Sequence, residues 1–260
     1  MSILDQLAGY ARERTERAKQ KISPEEIRDR AMALPRGKFE FENALQRPGV
    51  SLICECKKAS PSKGLIAPEF PYLQIAQEYE AAGADCISVL TEPKWFLGSD
   101  EYLKEIASVV SIPCLRKDFT VDEYMIYEAK LLGASAVLLI CTILTQAQIH
   151  QYINICDQFG LSALVEAHDA DEVRMALQAG ARMIGVNNRN LKDFTVDTEN
   201  SRRLRELIPR DVLFVSESGV SSGEDMQKLQ EIGADAVLIG ETLMRAADKK
   251  ARLAQLRGRL

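Results

Sequence analysis

Glu55 and Lys57 stand at the end of a short apolar run, Ser51 to Cys56, and Lys58, Ser60, Ser62 and Lys63 follow before Gly64. An apolar run without periodicity reads as a strand buried on both faces, so here a buried strand delivers charge to a loop. Ligands sit at the carboxyl ends of strands in parallel sheets, which makes Glu55 and Lys57 candidates for proton transfer and anion binding. Comparable positions recur along the chain: Thr91 and Glu92, Lys117 and Asp118, Cys141 and Thr142, Glu166 and His168, Asn187 and Arg189, Glu217 to Gly219, and Gly240 with Glu241. Loops at a sheet edge are polar in most proteins. Glu55, Lys117, Glu166 and Glu217, however, close the odd-numbered strands themselves, where a lone charge costs several kcal/mol unless paired. Ionisable groups held in that way suit general acid and base work.

A different chemistry is suggested by Ser216-Glu217-Ser218-Gly219-Val220 and Leu238-Ile239-Gly240-Glu241-Thr242. Small residues where two loops begin let backbone N–H groups approach a ligand closely. In barrels that bind phosphate, the loops after strands 7 and 8 hold it. The carboxylate of Glu241 would face a phosphate badly, so its N–H is expected toward the anion and its side chain away from it.

The elements that must position these residues show themselves as a repeat. Ala82-Gly83-Ala84, Leu132-Gly133-Ala134, Ala179-Gly180-Ala181 and Ile232-Gly233-Ala234 each join a helix end to an apolar strand, and the glycines lie 50, 47 and 53 residues apart. Each interval holds two strand–helix units. The intermediate strands are read at Ile112 to Arg116, Leu161 to Val165 and Val212 to Ser216, which with Ser51 to Cys56 makes eight. Helix starts are read at Thr120-x-x-Glu123, Thr145-x-x-Gln148, Asp169-x-x-Glu172 and Ser221-x-x-Glu224, and Tyr102, Leu103, Ile106, Val109 and Val110 mark one apolar helix face. The expected fold is an α/β (β/α)8 TIM barrel over residues 48–260. A doubly wound open sheet is the alternative, but no G-x-G-x-x-G follows the first strand. Residues 1–47 are expected to form a helical extension packed on the barrel. Within it Ile3, Leu4, Leu7, Tyr10 and Ala11 repeat at helical spacing, and Ser23-Pro24-Glu25-Glu26 reads as a capping box, so two helices precede the sheet.

Composition narrows the partners. With 46% hydrophobic and 27% charged residues among 260, the chain reads as globular, and its net charge of −5 argues against nucleic acid. The first 34 residues are no signal peptide, and no run approaches the ~20 apolar residues of a membrane span. Six cysteines lie mostly in apolar runs, which fits small buried side chains in a cytoplasmic compartment. Cys54 and Cys56 could ligate a metal, but with two histidines and no C-x-x-C pair no metal site is expected. A monomer is expected.

Seven motifs in order carry a resemblance. Glu55-x-Lys57-x-x-Ser60-Pro61-Ser62, Val89-Leu90-Thr91-Glu92 with Phe96-x-Gly98-Ser99, Leu115-Arg116-Lys117-Asp118-Phe119, Leu164-Val165-Glu166-x-His168, Gly185 to Leu191, Ser216-Glu217-Ser218-Gly219 and Leu238-Ile239-Gly240-Glu241 together resemble the indole-3-glycerol-phosphate synthases of tryptophan biosynthesis. The resemblance implies a carbon–carbon lyase that needs neither metal nor organic cofactor. It would close a ring in 1-(2-carboxyphenylamino)-1-deoxyribulose 5-phosphate, release carbon dioxide and then water, and yield indole-3-glycerol phosphate. Ring closure needs a positioned cation that can give up a proton to the ribulose oxygen, and Lys117 is the expected general acid, its proton release eased by the charge of Lys57 together with partial burial; the remaining roles follow from the resemblance. Lys57 holds the substrate carboxylate, while Glu166 and Glu55 share acid and base duty in dehydration. Asn187 bonds a ribulose hydroxyl and Arg189 orients a carboxylate. Ser60, Ser218, Gly219, Gly240 and the backbone of Glu241 take the phosphate, Glu217 lies in the same substrate site, and Phe96, Phe119 and Leu138 wall the aromatic ring.

Two rivals remain from the residues alone. An aldose–ketose isomerase on the same fold would turn over without releasing gas, and a phospholigand-binding barrel would not turn over at all.

Overall fold

The computed structural model describes residues 2–190 and 194–258; Leu191 of the fifth motif lies outside them. Eight parallel strands form a closed barrel: β1 Ser51–Cys56, β2 Cys86–Leu90, β3 Cys114–Lys117, β4 Ala136–Ile140, β5 Ser162–Ala167, β6 Met183–Asn187, β7 Leu213–Glu217 and β8 Ala236–Ile239. β8 pairs back onto β1, with Ser51 opposite Ala236, so no strand of the barrel is left with a free edge. The repeated glycines explain how α-helices hand over to the four even-numbered strands. Gly83, Gly133, Gly180 and Gly233 all have φ between 76° and 89°, and the following alanine N–H bonds back five residues, as Ala84 N to Tyr79 O and Ala234 N to Leu229 O. This is a Schellman close, and a side chain at the left-handed position would strain it. Cys114, Ser162 and Leu213 begin their strands one or two residues later than the apolar runs suggest.

Helices between strands are α4 Tyr72–Ala81, α5 Asp100–Val109, α6 Tyr124–Leu131, α7 Gln146–Phe159, α8 Ala170–Gln178, α9 Glu199–Arg205, α10 Gly223–Glu231 and the short α11 Glu241–Met244, with α12 Lys249–Leu256 closing the chain. Thr145 with Gln148 forms the expected capping box, and Asp169 caps α8 by accepting from Asp171 and Glu172 N–H. Two expectations fail. The cap of α10 is Ser222, boxed with Asp225, one residue beyond Ser221. α6 starts at Tyr124 with no side-chain cap, because Thr120 is buried in the loop after β3. On α5, Leu103 and Ile106 are buried, but Val109 is exposed.

Three helices precede the barrel, not two: α1 Ile3–Lys19, α2 Pro24–Met32 and α3 Glu40–Leu45. Ser23 caps α2 by accepting from Glu26 N–H, with Pro24 at the first turn. α3 carries no side-chain cap and begins after Phe39, whose φ is 55°, so the usual start signals are missing. The apolar interior of the barrel, including Ile53, Leu115, Leu164 and Val215, is continuous with Leu4 and Leu7 of α1 and with Phe41 and Leu45 of α3. These two helices cover opposite ends. Glu42 N–H bonds Ser162 Oγ and Ser51 Oγ bonds Ala44 O, both at strand beginnings, whereas Ile3, Leu4 and Leu7 border the cavity at the strand ends. No helix among the described residues is long and apolar enough to cross a membrane.

Candidate active site

At the carboxyl ends of the strands lies a cavity of about 490 Å³. Strand alternation decides what fills it. Glu55, Lys117, Glu166 and Glu217, near the ends of β1, β3, β5 and β7, border the cavity together, while the even-strand residues Leu90, Ile140 and Asn187, paired with Lys117, Glu166 and Glu217, line the same wall. Lys117 Nζ donates to Glu166 Oε2 and to Glu217 Oε2, each at 3.0 Å. Glu55, Glu166 and Glu217 are all at most 4% exposed, so pairing is what makes their charges tolerable. Lys57 Nζ binds Glu55 Oε1 at 2.5 Å.

Proton affinities follow from this packing. Burial opposes the charge on Lys117, but Glu166, Glu217 and Glu55 outweigh it and hold its proton well above the ordinary lysine range. The expected easing of proton release by Lys57 is therefore overturned: Lys57 is engaged with Glu55, and three carboxylates dominate around Lys117. Burial would raise Glu166, but Lys117 and His168 hold it well below the usual carboxylate range. Glu217 goes the other way. Its burial, reinforced by the charge of Glu166, outweighs Lys117 and lifts it to about 7.

Around this centre, Asn187 Nδ2 donates to Glu166 Oε1 at 3.3 Å, while Asn187 Oδ1 accepts from Arg189 N and Ser218 Oγ, each at 3.0 Å. Arg189 Nη1 bonds the carbonyl of Phe194. His168 is held from behind the site by Glu172, with Nδ1 3.0 Å from Glu172 Oε2. Its Nε2 lies 3.3 Å from Glu166 Oε1 without hydrogen-bond geometry.

The phosphate-type loops converge on the same cavity. Ser60, Ser218, Gly219, Gly240 and Glu241 all line it. Gly240 is forced by close approach, since a Cβ there would come within 2.3 Å of Glu55 Oε1 and 2.9 Å of Lys57 Nζ. Gly185 plays a similar part on β6, where a Cβ would meet Glu217 Oε1 at 2.2 Å. The carboxylate of Glu241 is held by Arg245 Nε at 3.0 Å and Lys63 Nζ at 3.6 Å. Phe96, Phe119 and Leu138 form an apolar wall, with the two phenyl rings 6.0 Å apart.

Every residue given a role by the family resemblance borders this one cavity, whereas Thr91, Glu92, Cys141, Thr142 and His168, which also follow strand ends, do not line it. Sequence reasoning did not foresee Ile3, Leu4 and Leu7, which reach it from α1, nor Arg245 and Arg252 from the C-terminal segment. The amphipathic pattern of α1 marked those apolar residues as buried but carried no signal of where the helix docks. Cys54 and Cys56 are buried free thiols, and burial pushes Cys56 well up.

A second buried charge network flanks the first. On β3, Arg116 points outward to Asp100 at 2.7 Å, Glu128 at 3.2 Å and the carbonyl of Met125. Asp118 accepts from Arg14 of α1 at 2.6 and 3.2 Å, from Thr91 Oγ1 at 2.6 Å and from Phe119 N–H at 2.8 Å. Against burial, Arg14 and Arg116 hold Asp118 below its ordinary range.

Residues 4–256 match the family model for indole-3-glycerol phosphate synthase. The chain belongs to the indole-3-glycerol phosphate synthase family. The indole-3-glycerol phosphate synthase of Ruminiclostridium cellulolyticum is 56% identical, over 98% of this chain and 99% of that one. The synthase of Lachnoclostridium phytofermentans is 50% identical, over 99% and 100%. Among solved structures, a 3-hexulose-6-phosphate synthase superposes with a TM-score of 0.64 at 15% identity, over 81% of this chain and 100% of that one. A thiamine phosphate pyrophosphorylase from Pyrococcus furiosus gives 0.61 at 17%, over 84% and 96%. At such identities the likeness is one of fold alone, and the synthase family is carried by the sequence matches.

Proposed function

We propose that this chain makes indole-3-glycerol phosphate from 1-(2-carboxyphenylamino)-1-deoxyribulose 5-phosphate, releasing carbon dioxide and water. The observation that carries the reading is the single ammonium of Lys117 held between Glu166 and Glu217 beside an aromatic wall and a glycine-lined loop pair, all on one cavity. When the aromatic ring attacks the ribulose carbonyl, the oxygen gains negative charge and Lys117, fully protonated near neutral pH, donates to it. The ring carboxylate then leaves as carbon dioxide and its bonding electrons return to the ring. Lys57 and Arg189 hold that carboxylate until it departs, Arg189 through its fork of donors. In dehydration Glu166 takes a proton from the substrate, and the Glu55–Lys57 pair supplies one to the hydroxyl that leaves as water. Asn187 fixes a ribulose hydroxyl. Ser60, Ser218 and the backbone at Gly219, Gly240 and Glu241 hold the phosphate, the carboxylate of Glu241 being occupied by Arg245 and Lys63.

Incubation with this substrate tests the reading directly. Indole absorbance and carbon dioxide are expected to appear in equal amounts. Turnover of the phosphosugar without gas would favour the isomerase, and binding without turnover would favour the non-enzymatic barrel.

A further inference from the structure

Glu166 and Glu217 are close to equivalent by position. Both end odd-numbered strands, both are buried, and each gives one oxygen to Lys117 at 3.0 Å. One ammonium between two carboxylates does not decide which of them carries a shared proton. The second oxygens differ. Glu166 Oε1 accepts from Asn187 and has His168 Nε2 3.3 Å away, whereas Glu217 Oε1 is buried with no hydrogen-bond partner among the described residues. A lone carboxylate oxygen in that position is costly and a neutral carboxyl much less so.

His168 does not line the cavity. Its ring is clamped from outside by Glu172 of α8, whose carboxylate also accepts from His168 N–H at 2.8 Å and from Thr142 Oγ1 at 2.6 Å, and Asn200 of α9 bonds the His168 carbonyl. The charged groups around Glu166 are thus Lys117 from β3, Glu217 from β7 and His168 from its own strand end, with Glu55 of β1 acting on Lys117 and Glu217, while those acting on His168 are Glu166 and Glu172. Burial disfavours a charged ring, but the two carboxylates outweigh it and lift His168 to about 10.

We propose that His168 is the positioning residue that separates two otherwise similar glutamates: its imidazolium keeps Glu166 ionised as the proton acceptor and leaves the shared proton on Glu217. Glu217 then faces the substrate as a neutral carboxyl, a hydrogen-bond donor in the sense that two carboxyls set apart by their surroundings take opposite roles. The activity arm of this inference rests on the ring-closure reading above; its charge arm does not.

The chain has two histidines, so imidazole NMR resolves His168 once His150→Gln has assigned the other signal. The His168 ring is expected to stay protonated past pH 9, and Glu172→Gln to bring its titration down by about one pH unit or more. Carboxyl ¹³C NMR is expected to show one glutamate titrating near neutral pH that disappears in Glu217→Gln. In His168→Gln the acid limb of kcat/KM for indole formation should move up by about one pH unit, which costs about tenfold on that limb, with activity recovered toward neutral pH, where Glu166 is ionised again. A ring that titrates in the ordinary histidine range of about 6.5, or a pH-independent loss with an unmoved acid limb, would overturn the inference. If no indole forms in any sample, the ring-closure reading fails, and the two titrations still decide the charge arm.

Discussion

Three consecutive residues on and after β3 send their charges to different places. Arg116 and Asp118 join a network that ties the barrel to α5, α6 and the N-terminal helix, while Lys117 enters the cavity between them in sequence. Both regions are buried, and both hold more than one carboxylate. They differ in how their carboxylates are satisfied. Each oxygen of Asp118 accepts two hydrogen bonds, and two guanidiniums keep it ionised. In the cavity Lys117 serves two glutamates, and one oxygen of Glu217 has no hydrogen-bond partner among the described residues. A carboxylate saturated with donors has one stable state and suits structure. A group left short of donors has two accessible protonation states, which is what proton transfer requires.

The contrast can be broken most forcefully at Glu166. Glu166→Gln keeps the shape but removes the base, and kcat for indole formation should fall by about 10³-fold, within the usual range for a lost general base. Urea unfolding should show a smaller loss than at Asp118, because Lys117 keeps Glu217 as a partner. Asp118→Ala should act mainly on stability, leaving Arg14 and Thr91 without their partner and costing about 3–5 kcal/mol, as breaking a buried pair does; urea or thermal denaturation measures this.

Smaller effects sharpen the picture. Gly240→Ala drives a methyl group against the Glu55–Lys57 pair, and kcat/KM should drop about 10- to 100-fold, as active-site misplacement of about 1 Å does, while the far-ultraviolet circular dichroism stays unchanged. The smallest effect is in the pH dependence of stability. Glu217 rises from 4.5 to about 7 on folding, so the folded state binds its proton more tightly. The resulting stabilisation is complete below about pH 4.5 and is lost as pH rises through 7. Glu217→Gln should abolish that slope, so the Tm of wild type relative to the variant falls between those pH values; a difference independent of pH would contradict a raised Glu217.

Much of this was legible in the chain because the barrel repeats. The Gly-Ala turns had one geometric job four times over, and the phase of Glu55, Lys117, Glu166 and Glu217 on alternate strands followed once eight strands were counted. What stayed hidden depends on contacts distant in sequence. α3 begins at a left-handed Phe39 with no polar cap, so nothing local announces it. Thr120 looks like a cap but is buried. That Lys57 pairs with Glu55, and that three carboxylates surround Lys117, depends on how far each strand is offset from its neighbours, which spacing alone does not specify. The asymmetry between Glu166 and Glu217 comes from Asn187 and His168 on one side only.

The account stands on Lys117 as the proton donor within one shared pocket. Lys117→Ala, assayed with the carboxyphenylamino substrate by indole absorbance and, in parallel, for binding of a phosphate-bearing substrate analogue by calorimetry, puts it to the test. Indole formation should fall by about 10³-fold or more while analogue affinity stays within a few-fold. Indole produced at a near wild-type rate by this variant would contradict the claim.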